Sequence, residues 1–138
     1  MLGTLNFRPG IIVIIEVNPK SLCNSLCESD FNLIGYNLYS LNISALNKRG
    51  IIVYVDSCFT SCQIEVANEF TECLFVKINF IKGTTVTLGA FYRSPGSSLV
   101  NDQKLLDLLD CLKSVKYDKL LLIGDFNLPN INWSNLTV

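Results

Sequence analysis

A chain of 138 residues is long enough to bury one core and short for two domains. With 49% apolar and 17% charged residues it is no disordered tail, and the composition suggests many strands buried on both faces. A net charge of -1 supplies no chain-wide basic field of the kind that dominates non-specific nucleic-acid binding, so charge alone does not point to nucleic acid.

The opening MLGTLNFRPG lacks the basic, apolar, small-residue order of a signal peptide. The apolar run Ile11 to Ile15 that follows is far too short to span a bilayer. The expectation is an intracellular protein, nuclear or cytoplasmic, with no membrane partner. Cys23 and Cys27, and again Cys58 and Cys62, share a C-x-x-x-C spacing. With no histidine and no knuckle glycines nearby, buried or loop thiols in the reduced state are favoured over structural zinc.

Residues 1–138 read as a single unit, since no repeat, low-complexity stretch or linker divides them. Ile11 to Ile15, bounded by Pro9-Gly10 and Asn18-Pro19, reads as a buried strand with Glu16 at its carboxyl end. Pro19 to Cys27 suits a short helix. Leu33 to Leu41 and Gly50 to Val55 read as strands, the second after a turn at Asn47 to Arg49. Strands are expected at Cys62 to Val66, Cys73 to Phe80 and Thr85 to Tyr92, the last two forming a hairpin through Lys82-Gly83-Thr84. Asn101 is placed to cap a helix running to about Val115, with Leu105, Leu108, Leu109, Leu112 and Val115 on one face. Lys119 to Ile123 is a final buried strand. The helix before it is the one clear crossover, as expected where neighbouring strands run parallel.

The strongest chemical signal is Gly124-Asp125-Phe126-Asn127, set directly after that strand. A buried strand delivering Asp and Asn at i and i+2 puts both side chains at the sheet edge where α/β proteins bind ligands. Gly124 is read as the residue that lets the backbone turn. A carboxylate can accept a proton from water and a carboxamide can donate to a developing oxyanion, which suits attack on phosphate; an ordinary Asx-rich turn is the competing reading. Alternation puts Asp125 and Asn127 on one face and Phe126 on the other.

Glu16 offers a second strand-end carboxylate, either a solvated acid or a ligand for Mg²⁺, which takes one or two carboxylates plus water and substrate phosphate. Tyr92-Arg93 closes another strand with two groups able to donate to phosphate oxygens, or with a half-buried tyrosine at the core edge. Asn47, Lys48 and Arg49 suit either a nucleic-acid backbone or a solvated turn. Trp133 reads as a packing residue before a base-stacking platform.

Taken in order, IIVIIEVNPK, KRGIIVYV, FTECLFVKI, GAFYRSPGSS and KLLLIGDFNLPNINWSN resemble the endonuclease domain of non-LTR (LINE-type) retrotransposon polyproteins. This is a branch of the endonuclease/exonuclease/phosphatase (deoxyribonuclease-I-like) superfamily. The match covers most of the chain, and GDFN followed by P-x-I-x-W is its specific element.

The resemblance implies a four-layer α/β sandwich with mixed β-sheets. It also implies Mg²⁺-dependent phosphodiester hydrolysis on DNA, with Mn²⁺ as a substitute, and a reverse transcriptase domain in a longer parent polyprotein. It assigns Glu16 to the metal, Tyr92 to the scissile phosphate, and Asp125 with Asn127 to the catalytic pair. Two departures set a further expectation. The family's first strand, bearing an active-site asparagine, has no counterpart before Glu16, and its carboxyl-terminal aspartate-histidine pair is missing from a chain with no histidine. The sequence therefore reads as a partial domain whose terminal strands are missing, with an incomplete proton relay and no activity in isolation. The alternatives are a non-catalytic remnant, or a metal- or nucleic-acid-binding module without turnover.

Overall fold

The computed structural model describes residues 8–18, 27–43, 48–80 and 83–128. They form a mixed α/β structure in which strands predominate: two sheets and one α-helix. Strands β1 (Ile11–Ile15), β2 (Tyr36–Leu41) and β3 (Ile51–Asp56) make a three-stranded antiparallel sheet in the order β1-β3-β2. Strands β4 (Thr60–Ile64), β5 (Cys73–Asn79), β6 (Thr85–Tyr92) and β7 (Lys119–Asp125) make a second sheet in that order. Its first three strands are antiparallel, and β7 joins β6 in parallel. Helix α1 (Leu99–Ser114) provides the crossover that a parallel neighbour requires.

Period-two alternation decides where each side chain goes. Ile51, Val53 and Val55 of β3 meet Leu74, Val76 and Ile78 of β5 and Leu88, Ala90 and Tyr92 of β6 in one buried cluster shared by the two sheets. The intervening residues face away from it. Ile52 and Tyr54 pack with Ile43, Phe31 and Leu33 on the outer side of the first sheet. Phe75 and Phe91 pack with Leu105, Leu108 and Leu112 of α1 on the outer side of the second. The central strand β3 is thus buried on both faces, which is why its sequence reads IIVYV without alternation.

The sequence reading and the structure differ in several places. Helix α1 starts earlier than Asn101, because Ser98 takes the N-cap position and accepts from the Asn101 N–H. Val115 lies beyond the helix and is 47% exposed, so the apolar stripe ends with Leu112. Strand β7 is not a buried strand. Among the described residues it is the outermost strand of its sheet, with Leu120, Leu121 and Ile123 exposed. Strand β1 also lies at an edge and is only half-buried. Strand β2 begins at Tyr36 rather than Leu33, and a short 3-10 helix, Glu28–Phe31, comes before it. The helix expected at Pro19 to Cys27 falls on residues 19–26, outside those described, as do Asn47, Lys82 and Trp133. Among the described residues no helix is long and apolar enough to cross a membrane. Cys27, Cys58, Cys62, Cys73 and Cys111 are free thiols, and all but the half-buried Cys73 are exposed, so most are loop or surface thiols rather than core residues.

Gly124 has a different physical role from the turn expected of it. It is a strand residue paired with Phe91. A Cβ at this position would run into the Phe91 carbonyl oxygen and lie 2.8 Å from the Phe91 Cβ. Glycine lets β7 approach β6 at the point where Phe91 is wedged between Phe75, Phe70 and Phe126. Gly124→Ala is expected to destabilise the fold by about 2 kcal/mol through this backbone clash, read from the shift of a urea unfolding midpoint. An unchanged midpoint would show that β7 can move away at no cost.

Candidate functional site

The site forms where the carboxyl ends of β1, β6 and β7 come together. Strand β1 ends at Ile15, and Glu16 takes a left-handed backbone conformation, φ 58°. That conformation is costly for a residue with a Cβ and persists only where the surroundings enforce it. Here Val17 and Asn18 donate their N–H groups to the carbonyls of Gly50 and Arg49, at 3.3 and 3.0 Å. Asn18, 1% exposed, donates through Nδ2 to the carbonyls of Asn42 and Lys48, at 2.8 and 3.0 Å. Gly50 has φ 62°, and a Cβ there would press on the Asn18 carboxamide at 3.3 Å. The Asn18 side chain thus ties the chain that follows Glu16 to the residue leaving β2 and to the chain entering β3.

The Glu16 carboxylate is met from the other sheet. The Tyr92 hydroxyl donates to Glu16 Oε1 at 2.6 Å, joining residues 76 positions apart. Tyr92 is itself 2% exposed. Burial, reinforced by the neighbouring Glu16 carboxylate, pushes the phenol above its ordinary pKa, so it stays a proton donor. Arg49 Nε stands 3.7 Å from the same Oε1, and its Nη1 donates to the Asn18 carbonyl at 3.0 Å. The Glu16 side chain remains 49% exposed.

Asp125 is the register partner of Tyr92 in the parallel pair, so its side chain leaves β7 on the same face as the phenol. Phe126 leaves on the other face and stacks on Phe91, ring centroids 5.7 Å apart. Beyond it the chain folds back into an Asx turn. Asn127 has φ 42°, donates its N–H to Asp125 Oδ1 at 3.2 Å, and donates through Nδ2 to the Arg93 carbonyl at 2.8 Å. The Asx-turn reading and the strand-end reading of this segment therefore describe the same residues. Asn127 also commits one of its two carboxamide N–H groups to the backbone, which leaves one for any other partner.

Arg93 does something other than reach for phosphate. It is 5% exposed, and its guanidinium grips Asp102 of α1 in a two-pronged pair, Nε to Oδ1 at 2.7 Å and Nη2 to Oδ2 at 2.8 Å. Its Nη1 donates to the Asn127 carbonyl and its backbone N–H to the Asp125 carbonyl at 2.8 Å. Arg93 thus holds the first turn of the crossover helix through Nε and Nη2 and the segment carrying Asp125 and Asn127 through Nη1 and its backbone N–H, fixing one to the other. The pairing with Arg93 holds the Asp102 carboxyl below the ordinary carboxylate range.

The structure thus brings Glu16 into contact with Tyr92, and Asp125 with Asn127 to the adjoining strand end. Arg49 and Asn18 belong to the same cluster, one as a cation beside Glu16 and the other as its loop anchor. The sequence shows Arg49 only as a turn cation and Asn18 only as a turn residue before proline. Nothing in either segment tells that β1 and the chain entering β3 meet at Glu16. Lys48 points elsewhere, donating to Thr71 Oγ1 at 3.2 Å. Among the described residues there is no group of three or more His, Cys, Asp or Glu placed to hold a metal ion. The carboxylates at this end are of the type that binds a hard cation one or two at a time, with water and substrate oxygens completing its shell. In comparisons with known sequences, no protein-family model and no curated protein matches this chain.

Two outcomes check this geometry. Arg93→Ala leaves Asp102 and the Asn127 carbonyl without their buried partner and is expected to cost about 3 kcal/mol of stability in chemical denaturation. Because the folded pKa of Asp102 is lowered, the stability it contributes is present above the unfolded value, near pH 4, and is lost as pH falls through the folded value. Asp102→Asn should therefore be less stable at neutral pH and show a shallower loss on acidification. Parallel acid profiles for the two proteins would disprove the assignment.

Proposed function

We propose that the chain carries the site of a Mg²⁺-dependent phosphodiesterase acting on DNA, of the endonuclease/exonuclease/phosphatase type found in non-LTR retrotransposon polyproteins, and that this site is catalytically incomplete. The observation that carries the reading is the 2.6 Å bond from Tyr92 to Glu16, which joins a carboxylate on one sheet to the strand whose parallel neighbour ends in Asp125. The superfamily's four-layer sandwich is supported by the shared core between the sheets and by α1 covering the outer face of the second. The reading also carries a reverse transcriptase domain as a partner within a longer polyprotein.

Glu16 is the residue that would hold Mg²⁺, with Mn²⁺ as a substitute, and the bound ion would polarise a phosphoryl oxygen. Tyr92, kept protonated by burial and by Glu16, orients the carboxylate through the hydrogen bond it donates. Asp125, exposed at the end of β7, can accept a proton from an attacking water. The remaining carboxamide N–H of Asn127 can donate to the charge that develops on phosphate, and Arg49 stands close enough to Glu16 to draw an anionic substrate to the same edge. The chain has no histidine to share the proton transfer. General acid-base help is worth ~10²–10⁴ in rate, so binding without turnover is the expected behaviour.

The 138-residue chain is accordingly expected to leave supercoiled plasmid intact in Mg²⁺ while still binding Mn²⁺, followed by the loss of the free-ion paramagnetic resonance signal. Glu16→Gln should abolish that binding. Tyr92→Phe, which removes the group orienting the ligand, should weaken it roughly 10- to 100-fold. Plasmid nicking abolished by Asp125→Ala would overturn the incomplete-site reading and keep the site. Mn²⁺ binding indifferent to Glu16 would remove the site itself.

A further inference from the structure

Strand β7 has β6 on one side and, among the described residues, no strand on the other. Its apolar side chains on the face turned toward the first sheet are also left open among the described residues. Leu121 and Ile123 pair in register with Leu88 and Ala90, which lie in the buried layer between the sheets, yet they are 44% and 37% exposed and stand outside that cluster. Among the described residues the first sheet has three strands to the second sheet's four and leaves this border open. An apolar, unpaired edge of this kind is a template for another strand, and the sequence of β7 indicates which one.

KLLLIGD is self-complementary when two copies run antiparallel about Leu122. Lys119 then faces Asp125 of the second copy, Leu121 faces Ile123, Leu120 faces Gly124, and Leu122 faces itself. The Asp125 carbonyl accepts from Arg93 and so points toward β6. By alternation, Leu120, Leu122 and Gly124 turn their own N–H and C=O groups outward. These become the hydrogen-bonded pairs, and Lys119–Asp125 and Leu121–Ile123 become the closely spaced non-hydrogen-bonded pairs, where side-chain contact is strongest. Opposite charges meet at both ends and apolar side chains meet between them. A one-residue slip would move Lys119 away from Asp125 and break both charge pairs together.

We propose that β7 is a dimerisation strand: two copies of this chain pair antiparallel through Lys119–Asp125, joining their four-stranded sheets into one and setting Lys119 of each copy against Asp125 of the other. The interface is isologous, so it closes at two copies and buries the edge that would otherwise recruit further strands. The ammonium group of one protomer then stands at the strand end that carries Asp125 in its partner. This arrangement is independent of any catalytic reading of that end.

Sedimentation of the full chain across micromolar concentrations tests it without reference to activity. A reversible monomer-dimer equilibrium that stops at two is expected. Lys119→Glu, a change at an exposed side chain, places like charges at both ends and should weaken dimerisation at least about tenfold. Adding Asp125→Lys to that variant restores opposite charges and should recover the dimer, with circular dichroism melts confirming that each variant is folded. A wild-type monomer throughout, growth beyond two copies, or a dimer indifferent to the single substitution and to its charge-swapped double would each overturn the proposal.

Discussion

The parallel pairing of β6 with β7 is the constraint from which the rest of the second sheet follows. Two neighbouring strands pointing the same way cannot be joined by a tight turn, so residues 93–118 must cross over, and the apolar face of α1 supplies the crossover with a core of its own. The same pairing sets Tyr92 beside Asp125 and Phe91 beside Gly124. Phe91 then has to share its space with a backbone, and the absence of a side chain at Gly124 makes the close approach tolerable. The crossover, the packing at Phe91 and the placement of Asp125 beside Tyr92 are consequences of one register.

Around that register the chain spends polar interactions where they hold turns in place. Arg93 is buried against Asp102 and the Asn127 carbonyl, a guanidinium whose flat fork matches a carboxylate on one side and a carbonyl on the other. Glu16 and Asn127 both adopt left-handed backbone conformations with side chains present, and both lie at the same end of the molecule. Asn127 is held there by its bond to Arg93, and Glu16 by the backbone pairing of Val17 and Asn18 with the chain entering β3. Asn42, whose carbonyl accepts from Asn18, is the third described non-glycine residue with a positive φ, and such conformations persist only where neighbouring contacts enforce them.

The strands were legible in the sequence because their cause is local. Runs such as Ile51 to Val55 and Thr85 to Tyr92 are β-branched, aromatic or apolar and are bounded by turn residues, and the structure places β3 and β6 there almost residue for residue. The leucine spacing of α1 was equally plain. Its start is not plain, because Ser98 and Asn101 are both good capping residues, and the choice depends on how the chain leaves Arg93, a question of tertiary path. The apolar runs Ile11 to Ile15 and Lys119 to Ile123 look like buried central strands, and both lie at sheet edges. Hydrophobicity records how much surface a strand would bury, and strand order records whether a neighbour arrives to bury it.

By itself the sequence determined the elements and their chemistry: strand-rich α/β architecture, one crossover helix, and carboxylates, a phenol and a carboxamide at strand ends. These follow from composition and from periods of two and 3.6, which any segment carries within itself. Only the tertiary structure decided that Tyr92 would close on Glu16 across 76 positions, that Arg49 and Asn18 would join them, and that Arg93 would turn inward to Asp102. Those contacts join segments remote in the chain. Their distances depend on how two sheets twist and pack against each other, and no stretch of residues encodes that packing without its partner.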